Sequence, residues 1–335
     1  MTLRLAAHVF GRVAGCEENP ECTVAILPQL DGGLFLSDGG LETSLIYLEG
    51  IELPQFAAFT LLRDAAGRER LKRYYEPYLA LCADTPGAGF VLETPTWRAS
   101  ADWGRLLGYD DATLARINRE AVLLLRELKD KWQPSLHGPL VLCGVLGPRG
   151  DGYVAEAPSS VEAAMAYHLP QAKALREGGV DMLAAVTMTG SAEALAIARC
   201  GAALGLPVAI SLTLETDGRL PSGETLGAAI ARVDADTPPA YFALNCAHPS
   251  HFESCLAEAG VWRTRIRGLR ANASGRSHAE LDAATELDIG DPADLGDRYR
   301  RLRAPLPALN VLGGCCGTDV RHLQAIRDAW LQQPS

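Results

Sequence analysis

The sequence predicts an α/β protein built as a single (β/α)8 barrel with a short N-terminal extension. Two observations predict it. Eight short runs rich in Val, Ile, Leu and Phe recur along the 335 residues, and amphipathic stretches lie between them. Near-continuous apolar runs suit strands of a parallel sheet buried on both faces. A third observation weakens the rival architecture, a doubly wound open sheet, because no G-x-G-x-x-G follows a strand.

In chain order the expected strands are 34–38, 90–94, 140–147, 182–188, 207–214, 241–246, 266–272 and 309–315. The stretch 111–132 places apolar residues three and four apart with a charged opposite face, which is a helix pattern. The stretch 159–179 starts at Ser159 or Ser160 as a cap and ends in glycines, and Pro170 should kink or divide it. A helix over 191–205 is capped by Ser191 and stopped by Gly205. The last helix, 318–333, is capped by Thr318 or Asp319. Residues 1–33 match nothing in the repeat and are expected to be an extension, partly disordered, ahead of a barrel over 34–333.

Composition narrows the function classes. The chain is 48% hydrophobic and 21% charged, with a formal net charge of −10 and no long Lys/Arg cluster, which argues against nucleic acid as a partner. No apolar run reaches the roughly 18 residues of a membrane span, and no signal-peptide pattern opens the chain. A cytoplasmic protein is expected, working on small molecules, and nothing in the pattern opposes an oligomer. Nine cysteines, an odd number, make a disulfide framework unlikely. Cys82, Cys143 and Cys200 sit in apolar or Ala-rich runs and read as small buried hydrophobes.

Catalytic groups of such a barrel sit at the C-terminal strand ends. Those ends carry Asp38-Gly39-Gly40, Glu93-Thr94, Gly147-Pro148, Val186-Thr187, Glu215, Asn245-Cys246, Asn272 and Cys315-Cys316. Three cysteines thus fall on one rim, at the ends of strands six and eight. Three thiolates are the ligand set of a zinc site with an open fourth position, and soft sulfur selects zinc over magnesium or calcium. A strand-end cysteine pair without metal and a vicinal redox pair fit the same spacing.

"SDGGLET" at 37–43, "NCAHP" at 245–249 and "GGCCGT" at 313–318 resemble the homocysteine S-methyltransferase family, in order from about residue 34 to 333. The resemblance implies a (β/α)8 barrel, zinc held by Cys246, Cys315 and Cys316, and a thiol substrate entering as fourth ligand. A thiol of pKa near about 8.5 is mostly protonated at neutral pH, and zinc binding deprotonates it. The implied reaction moves a methyl group from an onium donor (S-methylmethionine, S-adenosylmethionine or a betaine-like compound) to the thiol, homocysteine giving methionine. Another thiol, a corrinoid partner protein as methyl source, or a non-catalytic zinc or thiol-binding barrel are the other readings.

By the same resemblance Asp38 and Gly39 help hold the amino-acid part of homocysteine. Thr94 is a hydrogen-bonding candidate, Glu93 a substrate or structural carboxylate, and Asn245 a support for zinc or substrate. His248 and His251 read as surface residues at a helix start. Glu215 and Glu224 flank "TDGRLPSGET" (216–225), expected to be a mobile segment over the site. Two departures stand out. The family's glutamate at the end of strand four, which binds the substrate amine, is replaced by Val186, which offers neither charge nor hydrogen bond. The family's "TYQAS"-like stretch reads "TWRAS", placing Trp97 and Arg98 near the rim. An inward Arg98 would favour a carboxylate through a bidentate pair.

Overall fold

The computed structural model describes residues 27–155, 160–256 and 259–332. Eight parallel strands close in sequence order: β1 (Phe35–Leu36), β2 (Gly89–Glu93), β3 (Leu140–Leu146), β4 (Met182–Met188), β5 (Val208–Leu212), β6 (Tyr241–Asn245), β7 (Ile266–Ala271) and β8 (Val311–Gly314). β1 closes the ring by pairing with both β2 and β8. After each strand comes a helix of the outer layer: α1 (Ala65–Ala83), α2 (Asp111–Trp132), α3 (Val161–Gly178), α4 (Ser191–Leu204), α5 (Leu226–Asp236), α6 (Pro249–Leu256), α7 (Pro292–Leu302) and α8 (Val320–Leu331). Among the described residues no helix is long and apolar enough to cross a membrane.

The strands are apolar on both faces because each face meets a different core. Leu36, Phe90, Leu92, Leu142, Leu183, Ile210, Phe242, Leu269 and Leu312 point outward into the layer beneath the helices. Their alternate neighbours Phe35, Val91, Val141, Cys143, Met182, Ala184, Ala209, Tyr241 and Val311 fill the lower half of the barrel interior. That interior is a packed plug, so only the upper rim, at the C-terminal strand ends, is free for a ligand.

Residues 1–26 of the expected extension lie outside the described residues. The rest of it, 27–33, packs as the barrel floor. Leu27 joins the inner core, and the Asn310 amide donates to the carbonyls of Gln29 (2.8 Å) and Gly33 (2.7 Å).

Helix details differ from the expectation in two places. Pro170 does not divide α3 into separate helices: the helix runs through it to Gly178. One missing backbone hydrogen bond is outweighed by the burial of Ala172, Ala174 and Leu175. Ser191 is the first helical residue of α4, not its cap, because its hydroxyl is taken by Glu224 (2.5 Å). Ser160 and Asp319 cap as expected, through Ala163 and Arg321 amides, and Gly205 ends α4 at φ +66°.

Candidate active site: a three-thiol cluster at the barrel mouth

The thiols of Cys246, Cys315 and Cys316 lie within 4.8 Å of one another. Backbone bonds between strand ends bring them there. Cys246 N–H donates to the Arg270 carbonyl (3.2 Å) and Cys315 N–H to that of Ala271 (2.8 Å), so β7 serves as the spacer between β6 and the β8 turn. Gly314 N–H donates to the Asp38 carbonyl (2.9 Å), which joins the two glycine-rich motifs across the barrel seam. Neither motif tolerates a side chain at the contact. A Cβ on Gly314 would collide with Thr318 Oγ1, and one on Gly39 would lie 2.7 Å from the Tyr78 hydroxyl and 2.8 Å from the Thr318 carbonyl.

Cys246 sits at φ +53°, and Thr187 across from it on β4 at φ +65°. A β-branched residue in that region is strained. Asn245 holds both in place. Its Oδ1 accepts from Thr187 N–H (2.9 Å) and Ser211 Oγ (2.6 Å), and its Nδ2 donates to Thr187 Oγ1 (2.8 Å). Thr187 Oγ1 in turn lies 3.7 Å from Cys246 Sγ. Asn245 therefore stands behind the cluster, bonded to β4 and β5, rather than facing the cleft.

Cys246 is buried and Cys315 and Cys316 are partly exposed toward the cleft. Hydrogen bonds from Cys246 and Cys315 hold the Cys316 thiol well below its ordinary pKa, with the Tyr153 hydroxyl adding a contact 3.6 Å from its Sγ. Tyr153 stacks flat on His278 at 4.1 Å between ring centroids. His278 is fixed by Glu215 Oε1 (3.0 Å) and the Cys246 carbonyl (2.5 Å). Three converging thiols, two of them facing the cleft, suit a soft metal ion with a free coordination position.

A cleft of about 360 Å³ opens above the cluster. Asp38, Gly39, Glu93, Thr94, Trp97, Arg98 and Val186, all singled out in the sequence, line it together with the three cysteines. Asp38 and Glu93 are not free carboxylates. Arg270, unforeseen in the sequence, reaches from β7 to Asp38 Oδ1 (2.8 Å) and to Glu93, and donates to the carbonyls of Gly39 (3.1 Å) and Gly314 (3.0 Å). Tyr74 donates to Asp38 Oδ2 (3.0 Å). Burial pushes both carboxyls up and Arg270 counters it. Burial works against the guanidinium too, but the two acids hold it firmly protonated. Thr94 shares a short bond with Thr96 (2.6 Å) and accepts from Val145 N–H (2.9 Å).

Glu42, at the start of the short helix Leu41–Thr43, also lines the cleft, and burial pushes its carboxyl up to about 7. At the mouth Asp151, Asp282, Glu286 and Asp288 add to Asp38, Glu42 and Glu93, so seven carboxylates face two arginines.

Three expectations are corrected. His248 and His251 are buried, not surface residues, because the loop after β7 packs against both: Gly275 lies beside the His248 ring, and its carbonyl bonds the His251 ring (3.0 Å), while His248 Nδ1 bonds Ser250 Oγ (2.7 Å). Neither belongs to the thiol cluster. The segment 216–225 does not cover the site. Glu224 pins it to the start of α4 through Ser191, and none of it lines the cleft.

A closed (β/α)8 barrel with three thiols gathered at the C-terminal strand ends defines the class as a barrel protein with a sulfur-lined mouth. The family model described as homocysteine S-methyltransferase matches residues 35–330. The homocysteine S-methyltransferase of Escherichia coli strain K12 is 25% identical over 244 residues, 70% of this chain and 77% of that protein. The fold is also that of the homocysteine methyltransferase MmuM from Escherichia coli. Its oxidized form superposes with a TM-score of 0.71 at 22% identity and its metallated form with 0.70 at 21%. Each alignment covers 89% of this chain and 96% of theirs. The chain belongs to the homocysteine S-methyltransferase family and is a methyltransferase.

Proposed function

We propose that the protein is a zinc-dependent S-methyltransferase that moves a methyl group from an onium donor (S-methylmethionine, S-adenosylmethionine or a betaine-like compound) to homocysteine, giving methionine. The observation that carries this reading is the cluster of Cys246, Cys315 and Cys316 opening into the cleft. The names of the Escherichia coli relatives supply the thiol, and the metallated form of MmuM supports a metal. Sulfur donors favour zinc among the common ions.

When bound, zinc keeps a fourth, substrate sulfur in its nucleophilic thiolate form. The chain's own residues position the partners. Asn245 and Thr187 orient Cys246, and the Arg270 bridge fixes Asp38 and Glu93 in the wall. Gly39 and Thr94 offer hydrogen-bonding edges to the amino-acid part of the thiol, and Val186 gives an apolar stretch of wall. Because the substrate sulfur would already be a thiolate, its proton released to solvent on binding, no general base is needed, and alignment of sulfur, methyl and leaving group is the main contribution.

Protein purified without chelator is expected to carry about one zinc per chain and to form methionine from homocysteine and one of the donors. Cys246→Ser and Cys316→Ser should lose most of the metal and the activity. Full zinc retention in both variants, or a zinc-loaded wild type that methylates no thiol, overturns the reading.

A further inference from the structure

Two arginines line the cleft, and they differ in one respect. Arg270 is ion-paired with two carboxylates. Arg98 has none. It is only 8% exposed. Among the described residues a single N–H of its guanidinium finds an acceptor, Nη1 to the Gly150 carbonyl at 3.1 Å, and the buried Nε has no partner. It lies against two indole rings instead: the guanidinium carbon is 3.5 Å from the Trp103 ring centroid and 4.2 Å from that of Trp97. Burial pulls Arg98 down to about 10, with Asp151 and Glu42 acting only from a distance.

A buried cation without a counter-ion is costly. Stacking against indole rings recovers part of that cost, but it satisfies none of the N–H donors. Its remaining N–H groups are left to an anion entering the cleft that Arg98 lines, while Trp97 and Trp103 hold the guanidinium in place. The bracket is also tied to the reaction centre. Trp97 Nε1 donates to the Val186 carbonyl (3.3 Å), and Thr187, next along β4, touches Cys246. One continuous wall therefore leads from the guanidinium to the thiol cluster.

We propose that Arg98 is the anion-binding subsite of this cleft and takes a carboxylate of one of the two reactants, through a planar forked pair between Trp97 and Trp103. This rests on the proposed thiol methylation, which defines the reactants. A carboxylate on the thiol and one on the onium donor have the same chemistry, and the test separates them.

Binding is measured by calorimetry on zinc-loaded protein, so that it reads out independently of turnover. In one arm 3-mercaptopropionate is compared with 3-mercaptopropanol. In the other, the betaine trimethylglycine is compared with choline, which has an alcohol in place of the carboxylate. Wild type should prefer the acid by at least about tenfold in one arm, the value of a charge-assisted hydrogen bond. The arm that shows it names the reactant. Arg98→Gln should abolish that preference, and Arg98→Lys, which keeps charge without the fork, should recover only part of it. Equal affinity for acid and alcohol in both arms overturns the proposal from wild type alone, whatever the variants' folding. A preference that survives Arg98→Gln overturns it as well. Failure of the underlying reading looks different: zinc-loaded protein transfers no methyl group to any thiol, with the acid preference still measurable.

Discussion

Arg270 shows how one side chain decides the character of a site. Among the described residues it is the one cation paired with Asp38 and Glu93; Asp38 is buried, and Arg270 and Glu93 are only slightly exposed. Arg270→Met leaves two carboxylates without a counter-charge, which costs about 3–5 kcal/mol. Urea unfolding should show that loss, and adding Glu93→Gln should return part of it. Unchanged stability would mean that solvent reaches the pair. Thiol reactivity separates residues just as sharply. Burial pushes Cys82 up to about 12 and Cys200 up to about 11, and Cys143 is raised as well. In chelator-treated protein, iodoacetamide should modify Cys316 well before these three, and peptide mapping should show zinc protecting it. Early modification of Cys143 would contradict the packed interior. Asp38, Glu93 and the cysteines were legible as strand-end residues. Arg270 was not, because "IRGLRAN" reads as a strand whatever its partners. The available signal was an arginine at the end of a strand otherwise buried on both faces, which requires an acid opposite.

Elements matter here chiefly through how their ends are tied. Tyr299 of α7 reaches under the site. Its hydroxyl donates to the Gly313 carbonyl (2.7 Å) and accepts from Ala271 N–H (2.8 Å), clamping the ends of β7 and β8 just before Cys315. Tyr299→Phe strands a buried amide and should cost about 1–3 kcal/mol. Zinc affinity, measured by competition with a chelating dye, should fall along with it. A stability loss with unaltered affinity would show that the clamp does not reach the thiols. The eight strands and the long helices were legible because apolar runs and 3.6-residue periodicity are local signals. The fate of 216–225 was not, since Gly and Pro content marks a loop without saying what pins it. Glu224 pins it through a helix start more than thirty residues earlier in the chain.

On the scale of the whole barrel, the ligands come from β6 and from the turn after β8, next to the seam where β1 closes the ring. A metal there would link two strand ends, on either side of β7, in one cooperative unit. Zinc held at a hundred times its dissociation constant adds about 2.7 kcal/mol. Chelation should therefore lower Tm in wild type and leave Cys246→Ser unmoved; equal shifts in both would place the responsive metal elsewhere. The closed barrel and the convergence of the three thiols were readable from strand order alone. Tyr153 and His278 were not, because their loops, after β3 and β7, meet only once the ring has closed.

The acid-rich mouth has a consequence for turnover. Seven carboxylates against two arginines give the cleft a negative field, and such a field draws a cationic donor inward from beyond contact distance. Under the proposed reaction, transfer of the methyl group from a sulfonium donor would remove that positive charge. The spent thioether would no longer be held by the attraction that brought the sulfonium in. Each cycle would thus lower the affinity for its own by-product and leave the cleft to the next cation.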